Sequence, residues 1–307
     1  MTLGLFLLKR LAWMAITLWC VFTISFSLMW ALPGGPFSSE RKLPEATQRN
    51  IEERFELNKP FSYQYMKSLK RTAVGDFGPS LKLEDFDVNT VIRQSFPVSA
   101  SLGICALMLA LTVGVTAGVI AAVFRRTGWD FGAMLIATIG IAVPNFVLAS
   151  MAVMVFVFWF HLFPVAGWGS IRQLAMPTLC LGAPYAAYIA RLTRASMLEV
   201  LNRDYIRTAY AKGLLTPTVV IKHALRGAIL PIVSYLGPAT AGLMTGSLIL
   251  ESIFNIPGMG THFIESITQR DHPLSMAMVL IYTLLLSGMN ILVDLSYGLI
   301  DPRIKLE

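Results

Sequence analysis

The chain has 307 residues, of which 55% are hydrophobic and only 14% charged, with a mean hydropathy of +0.63. Soluble domains carry about a quarter charged residues, so this composition excludes an ordinary water-soluble globule and points to an all-α, polytopic membrane protein. The net charge of +7 does not form one nucleic-acid-binding face; along the chain it is sorted by side of the membrane.

Six apolar stretches account for the missing charge: Leu11–Leu32, Pro97–Phe124, Phe131–Phe160, Leu174–Ala190, Ala228–Phe254 and Pro273–Ile300. Roughly 20 apolar residues cross a bilayer core as a helix, so six transmembrane helices are expected. The third stretch is long enough that it must tilt or protrude. The fourth, interrupted by Pro177, Gly182 and Pro184, carries the weakest signal. Lys9-Arg10 ahead of the first stretch resembles a signal peptide, but the 22-residue run exceeds the usual length of about 7–15 and no Ala-x-Ala site follows. An uncleaved first span is expected, so residues 1–32 form a cytoplasmic N-terminus and first helix.

Residues 33–96 are the one sizeable polar portion. Within them, Pro44 starts a predicted helix with Leu43, Thr47, Ile51 and Phe55 on one face, and Pro60 starts another with Phe61, Tyr65 and Leu69 at four-residue spacing. Both are amphipathic, suited to the membrane surface or to capping the spans. Gly75–Ser80 is a turn-rich link, and Asp87–Gln94 leads into the second span. This insert reads equally as a docking face or as a passive cap. Residues 97–307 form a five-helix core. In it, Gly114-x-x-x-Gly118 and Gly242-x-x-x-Gly246 place glycines on one helix face for close packing, with pore lining the minority reading.

Between Asp204 and Pro231 the core makes a basic excursion that reads as two short helices around a glycine turn. Asn202 or Asp204 would cap the first helix, Gly213 would be its left-handed terminator, and Thr216-Pro217 would start the second. Glu251 then opens the run ESIFNIPGMG, where Pro257, Gly258 and Gly260 are expected to break the helix. Free backbone groups at such a break are tolerated only at an interface or cavity, so a re-entrant or outer gate element and a plain span-stopping turn both fit. Asp294 lies about 10 Å of helix from the end of the last span. It is either a proton site or, by preference, the partner of a cytoplasmic-side Arg or a group facing a water-filled path.

Counted with the helix ends, the loops and tails on the side of residues 199–227 hold thirteen Lys and Arg against five acids, whereas 33–96 hold ten against nine. Positive charge marks the cytoplasmic side, which places both termini in the cytoplasm and 33–96 in the periplasm. Catalytic constellations are missing. No Lys follows a Gly, so a Walker A ending is absent. His161, His223, His262 and His272 share no ligand spacing, and Cys20, Cys105 and Cys180 suit packing. No metal and no cofactor are expected in this chain.

The excursion resembles the coupling loop of ABC-transporter permeases, in particular the oligopeptide and dipeptide uptake family. In the general pattern a Glu-Ala-Ala triplet precedes a glycine and a later Ile-x-Leu-Pro. Here Arg207-Thr208-Ala209 stands for the triplet, Gly213 keeps the glycine, and His223-Ala224-Leu225-Arg226 occupies the last place, the form peptide permeases take. Glu-x-x-Phe-x-x-Pro-Gly-x-Gly from Glu251, the Pro33–Phe37 exit, the Gly75–Ser80 run and the closing Asp301-Pro302 extend the resemblance over the whole chain. It implies a type I importer permease fold in the bacterial inner membrane, moving oligopeptides. It also implies a homologous second permease subunit, two ATP-binding subunits that hold ATP and magnesium, and an extracytoplasmic peptide-binding protein. Asp204, Arg207, Thr208, Ala209, Lys212, Gly213, His223, Leu225 and Arg226 would then couple to the ATPase. Arg207, Lys212 and Arg226 would meet its acidic or carbonyl groups. Permeases for dipeptides, nickel or antimicrobial peptides are the near alternatives. A stand-alone proton-driven peptide carrier using Asp294 is the distant one, and an intramembrane enzyme lacks a nucleophile–base or metal set.

Overall fold

The computed structural model describes residues 3–31, 53, 56, 58–83, 86–245 and 247–300. The expected Pro44 helix, the Pro33–Phe37 exit, Gly246 and Asp301-Pro302 lie outside them. Among the described residues the regular elements are helices: α1 Leu3–Ala31, α2 Phe61–Ala73, α3 Val88–Val123, α4 Gly128–Ala142, α5 Asn145–Trp159, α6 Ile171–Leu201, α7 Asp204–Ala211, α8 Thr216–Met244, α9 Leu248–Ile253, α10 Met259–Thr268 and α11 His272–Ile300. The second half of α5 and residues Val219–Ala224 of α8 widen into π-helix.

Four helices, α1, α3, α8 and α11, are long and apolar enough to cross a bilayer, and α4 with α5 makes a fifth if that bent pair is one span. The third stretch does not merely tilt: it bends by 106° between its two halves. Pro144 forces this, because the residue before proline is disfavoured in the helical region, and Val143 is extended at φ −87° and ψ 123°. α6, at 31 residues, is long enough for a sixth crossing but less apolar than the rest. It packs against α3, α4, α5 and α8, and a helix shielded by its neighbours does not need an apolar surface all round.

The α3–α6 pair is the most extensive helix contact, and small residues make it possible. A Cβ on Gly114 would lie 2.6 Å from the Ala186 carbonyl oxygen, one on Gly118 2.6 Å from that of Ala190, and one on Gly182 2.9 Å from that of Ala106. Gly114 and Gly118 are buried in this seam, so they pack and do not line a pore. Gly242 is exposed beside the Tyr185 hydroxyl.

α2 packs on the bundle, one of the two placements that its amphipathic spacing allows. Phe61 and Tyr65 meet Phe22, Phe26 and Trp30 of α1 edge-to-face at centroid distances of 5.2–5.6 Å, and Leu69 packs on the cluster of Phe22, Met276 and Leu280. The following loop is clasped twice. Arg71 donates to both carboxylate oxygens of Asp76 at 2.8 and 3.0 Å, which holds the Asp76 carboxyl below the usual carboxylate range. Ser80 donates to Asp271, buried at the start of α11.

Candidate functional site

Two sites emerge at opposite ends of the bundle. At one end, α7 lies across the ends of α3, α6 and α8. Ile206 and Ala209 turn inward onto Ala122, Met197, Val200, Val219, Val220, Ala224 and Ala228. Tyr205 packs against α8 where Gly227 leaves room, since a Cβ there would come within 2.6 Å of the tyrosine oxygen. α7 is therefore seated on three long helices at once.

The cap expectations are off by one residue. Arg203, in extended conformation and without a side-chain cap, precedes α7, so Asp204 is its first helical residue. Asn202 instead ends α6 and donates to the Leu198 carbonyl at 2.7 Å. Likewise Leu215 precedes α8, with Thr216 and Pro217 already inside it. Gly213 is left-handed at φ 80°; its N–H donates to Tyr210 O at 2.9 Å, and that of Leu214 to Ala209 O at 3.3 Å. This bond pair is the Schellman stop that glycine favours. The larger correction concerns the second expected short helix: it does not exist separately. His223, Leu225 and Arg226 belong to the first turns of α8, which runs unbroken to Met244.

Asp204, Arg207, Thr208, Lys212, Gly213, His223 and Arg226 are exposed, Leu225 is half-buried, and Ala209 is buried. Ala209 therefore seats the helix and does not present a contact. Asp204 and Arg207 stand 3.8 Å apart and largely in the open, and Arg203 pairs with Glu199. Sequence reasoning overlooked the apolar part of this face: Tyr205, Tyr210, Leu215 and Ile221 are all exposed, Leu215 at 76%. Their signal was available, because they fall off the Ile206–Ala209 side of an otherwise basic segment. Exposed large apolar groups gathered on one face mark a protein or membrane contact surface.

Behind α7, Arg194 of α6 holds Asp130 of α4 with bonds of 2.6 and 2.8 Å. Asp130 also accepts from the Arg126 backbone at 3.0 Å. Asp294 meets Arg10 of α1 at 2.6 Å, and Arg10 lies over the Phe6 ring.

At the other end, the segment expected to finish the fifth span is a separate helix, α9, after α8 has stopped at Met244. α9 ends at Ile253 and Asn255 just beyond it is left-handed at φ 49°, so the helix has stopped before Pro257 is reached. Gly258 precedes α10 and Gly260 lies inside it, so Gly260 is no helix breaker. What joins these pieces is the fully buried Glu251. One carboxylate oxygen accepts from the Ser99 hydroxyl of α3 at 2.7 Å and the other from the Gly260 N–H at 2.7 Å. Ser99 in turn accepts from the Met259 N–H at 2.8 Å. A carboxylate at the first turn of a helix is favourably placed. Gly258 makes the approach possible, since a Cβ there would overlap the Glu251 carboxylate and lie 2.5 Å from the Ser99 oxygen.

Comparison with known proteins gives this arrangement a family. Residues 114–306 match the model of the binding-protein-dependent transport system inner membrane component. The chain is 46% identical to the dipeptide transport system permease protein DppB of Bacillus subtilis, over 98% of each chain. It is 43% identical to the oligopeptide transport system permease protein OppB of Escherichia coli, over 98% of this chain and 99% of that one. Its fold matches a chain of the MetNI methionine ABC transporter in inward-facing conformations, with a TM-score of 0.57 at 16% identity, covering 69% of this chain and 96% of that chain. With its several apolar helices, the chain belongs to the binding-protein-dependent transport system inner membrane component family, as a multi-pass permease subunit of an ABC importer.

Proposed function

We propose that this subunit translocates oligopeptides across a bacterial inner membrane, with both termini cytoplasmic and residues 33–96 periplasmic. In this reading it pairs with a homologous permease subunit and takes its energy from two ATPase subunits that bind ATP and magnesium. It receives cargo from a peptide-binding protein docked over the α2 end. The observation that carries the reading is full-length similarity to peptide permeases, combined with a seated α7 whose outer face is open.

Coupling follows from the seating. α7 touches α3, α6 and α8 through one buried cluster, and α8 continues without a break into the bundle. When the ATPase pair closes, force on Tyr205, Arg207, Tyr210 and Lys212 reaches α8 as a rigid-body displacement. The bundle then switches between two packings. At the far end the Glu251–Ser99–Gly260 knot ties α9 and α10 to α3, so the outer turn moves with the same body.

ATP-dependent uptake of labelled di-, tri- and hexapeptides and nickel into vesicles holding the purified full complex tests this. Uptake of the tri- and hexapeptide is expected. Dipeptide alone would support the second reading, favoured by the DppB relative, and nickel alone would overturn the peptide assignment.

A further inference from the structure

Arg191 lies on α6 one turn before Arg194, toward the middle of the helix, and is exposed. Arg194 is satisfied by Asp130, whereas among the described residues Arg191 has no ion-pair partner. Asp130 stands in the first turn of α4, just after Arg125-Arg126, and so marks where that helix enters the membrane. Arg191 is about 4.5 Å of helix deeper. A bare guanidinium at that depth is costly against lipid.

Its surroundings are not built for lipid either. Tyr188, three residues earlier on the same face, is 46% exposed. Its ring lies 4.3 Å from that of Tyr235 on α8, and the Tyr185 ring lies 6.5 Å from Tyr235. On α8, Pro231, Ser234 and Pro238 are exposed along one face. Each proline deprives the carbonyl four residues earlier, Gly227 and Ser234, of its helical donor. Unpaired backbone at membrane depth persists where it is enclosed by protein or meets water. The other flanks of α6 are taken by α3, α4, α5 and α8.

We propose that Arg191, backed by the Tyr188–Tyr235 stack, is a carboxylate-binding site on the translocation path, occupied in passing by the C-terminal carboxylate of the peptide. This rests on the peptide reading above. A guanidinium fork matches a carboxylate in two parallel hydrogen bonds, and the tyrosine faces accept peptide planes or apolar side chains of any sequence. Because the site is open to water, the bond is weak, and a path must release what it binds.

The test is uptake, by the reconstituted full complex, of one hexapeptide as free acid and as C-terminal amide. The readout is the free-acid to amide rate ratio in the wild type divided by that in Arg191→Gln. Because both complexes use the same binding protein, its own preference cancels. The quotient should be at least about threefold, with Arg191→Lys intermediate. Should Arg191→Gln move neither peptide, Arg191→Lys must still favour the free acid. An unchanged ratio, an equal loss for both peptides, or an effect that tracks the anionic lipid content of the vesicles instead of the peptide terminus would overturn the assignment. If the wild type moves neither peptide, the peptide reading itself fails and takes this site with it.

Discussion

Replacing Gly213 separates backbone geometry from contact. Its φ is 80° and nothing lies within 4 Å of where a Cβ would stand, so alanine fits and meets only the left-handed penalty of about 1–2 kcal/mol; asparagine meets less. Proline fixes φ near −65°, removes the N–H that bonds Tyr210 O at 2.9 Å and disfavours the helical conformation at Lys212, together about 3 kcal/mol or more. α7 is held down mainly by burial of Ile206 and Ala209, roughly 2–4 kcal/mol. Proline therefore competes with the whole docking energy, and alanine does not. Peptide delivered per ATP hydrolysed, in vesicles holding the full complex, should be near wild type for Gly213→Asn and at least half of it for Gly213→Ala. For Gly213→Pro it should fall about tenfold or more, with membrane insertion intact. Normal transport by Gly213→Pro would refute the lever. Equal damage by alanine and proline would refute the backbone account of this residue.

Other expectations follow from named contacts. Glu251→Ala leaves the Gly260 N–H and the Ser99 hydroxyl without their acceptor, a loss of roughly 2–6 kcal/mol. The purified complex should unfold several degrees lower, Gly258→Ala should act in the same direction, and unchanged melting would sink the knot. Asp294→Asn removes a half-exposed pair with Arg10; uptake should change less than about threefold and stay independent of a proton gradient, whereas gradient-driven uptake abolished by Asp294→Asn would restore the carrier reading. The Asp76 carboxyl is depressed by Arg71, so its contribution is present above the unfolded carboxylate range and is lost as pH falls through the lower folded value. Protease protection of the α2 loop should hold from neutrality to about pH 5 and decline below about pH 4, and decline near neutrality would contradict the clasp.

Local signals in the chain are legible where one residue type decides the geometry. Gly213 stops α7 because a left-handed stop needs it, and Gly114 and Gly118 sit where α6 comes closest. Phe61, Tyr65 and Leu69 share a face because their spacing puts them there. What escaped depends on partners far away in sequence. Glu251 looked like the end of a span because its acceptor geometry is completed by Ser99, 152 residues earlier. The start of α8 looked like a separate helix because Pro217 is as compatible with the first turn of a long helix as with a short one. Pro144 did announce the 106° bend, but the apolar run on both sides concealed it. Arg10 and Asp294, at opposite ends of the chain, could be matched only once α1 was laid against α11.

Drive supplied from outside this chain and delivered through α7 is the claim on which the rest depends. Its most direct measurement is peptide accumulation in vesicles that carry this subunit with its membrane partner, with and without the ATPase pair, under ATP and under an imposed proton gradient. Accumulation should require the ATPase pair and ATP together, and a gradient alone should give none. Gradient-driven accumulation without the ATPase pair would contradict it.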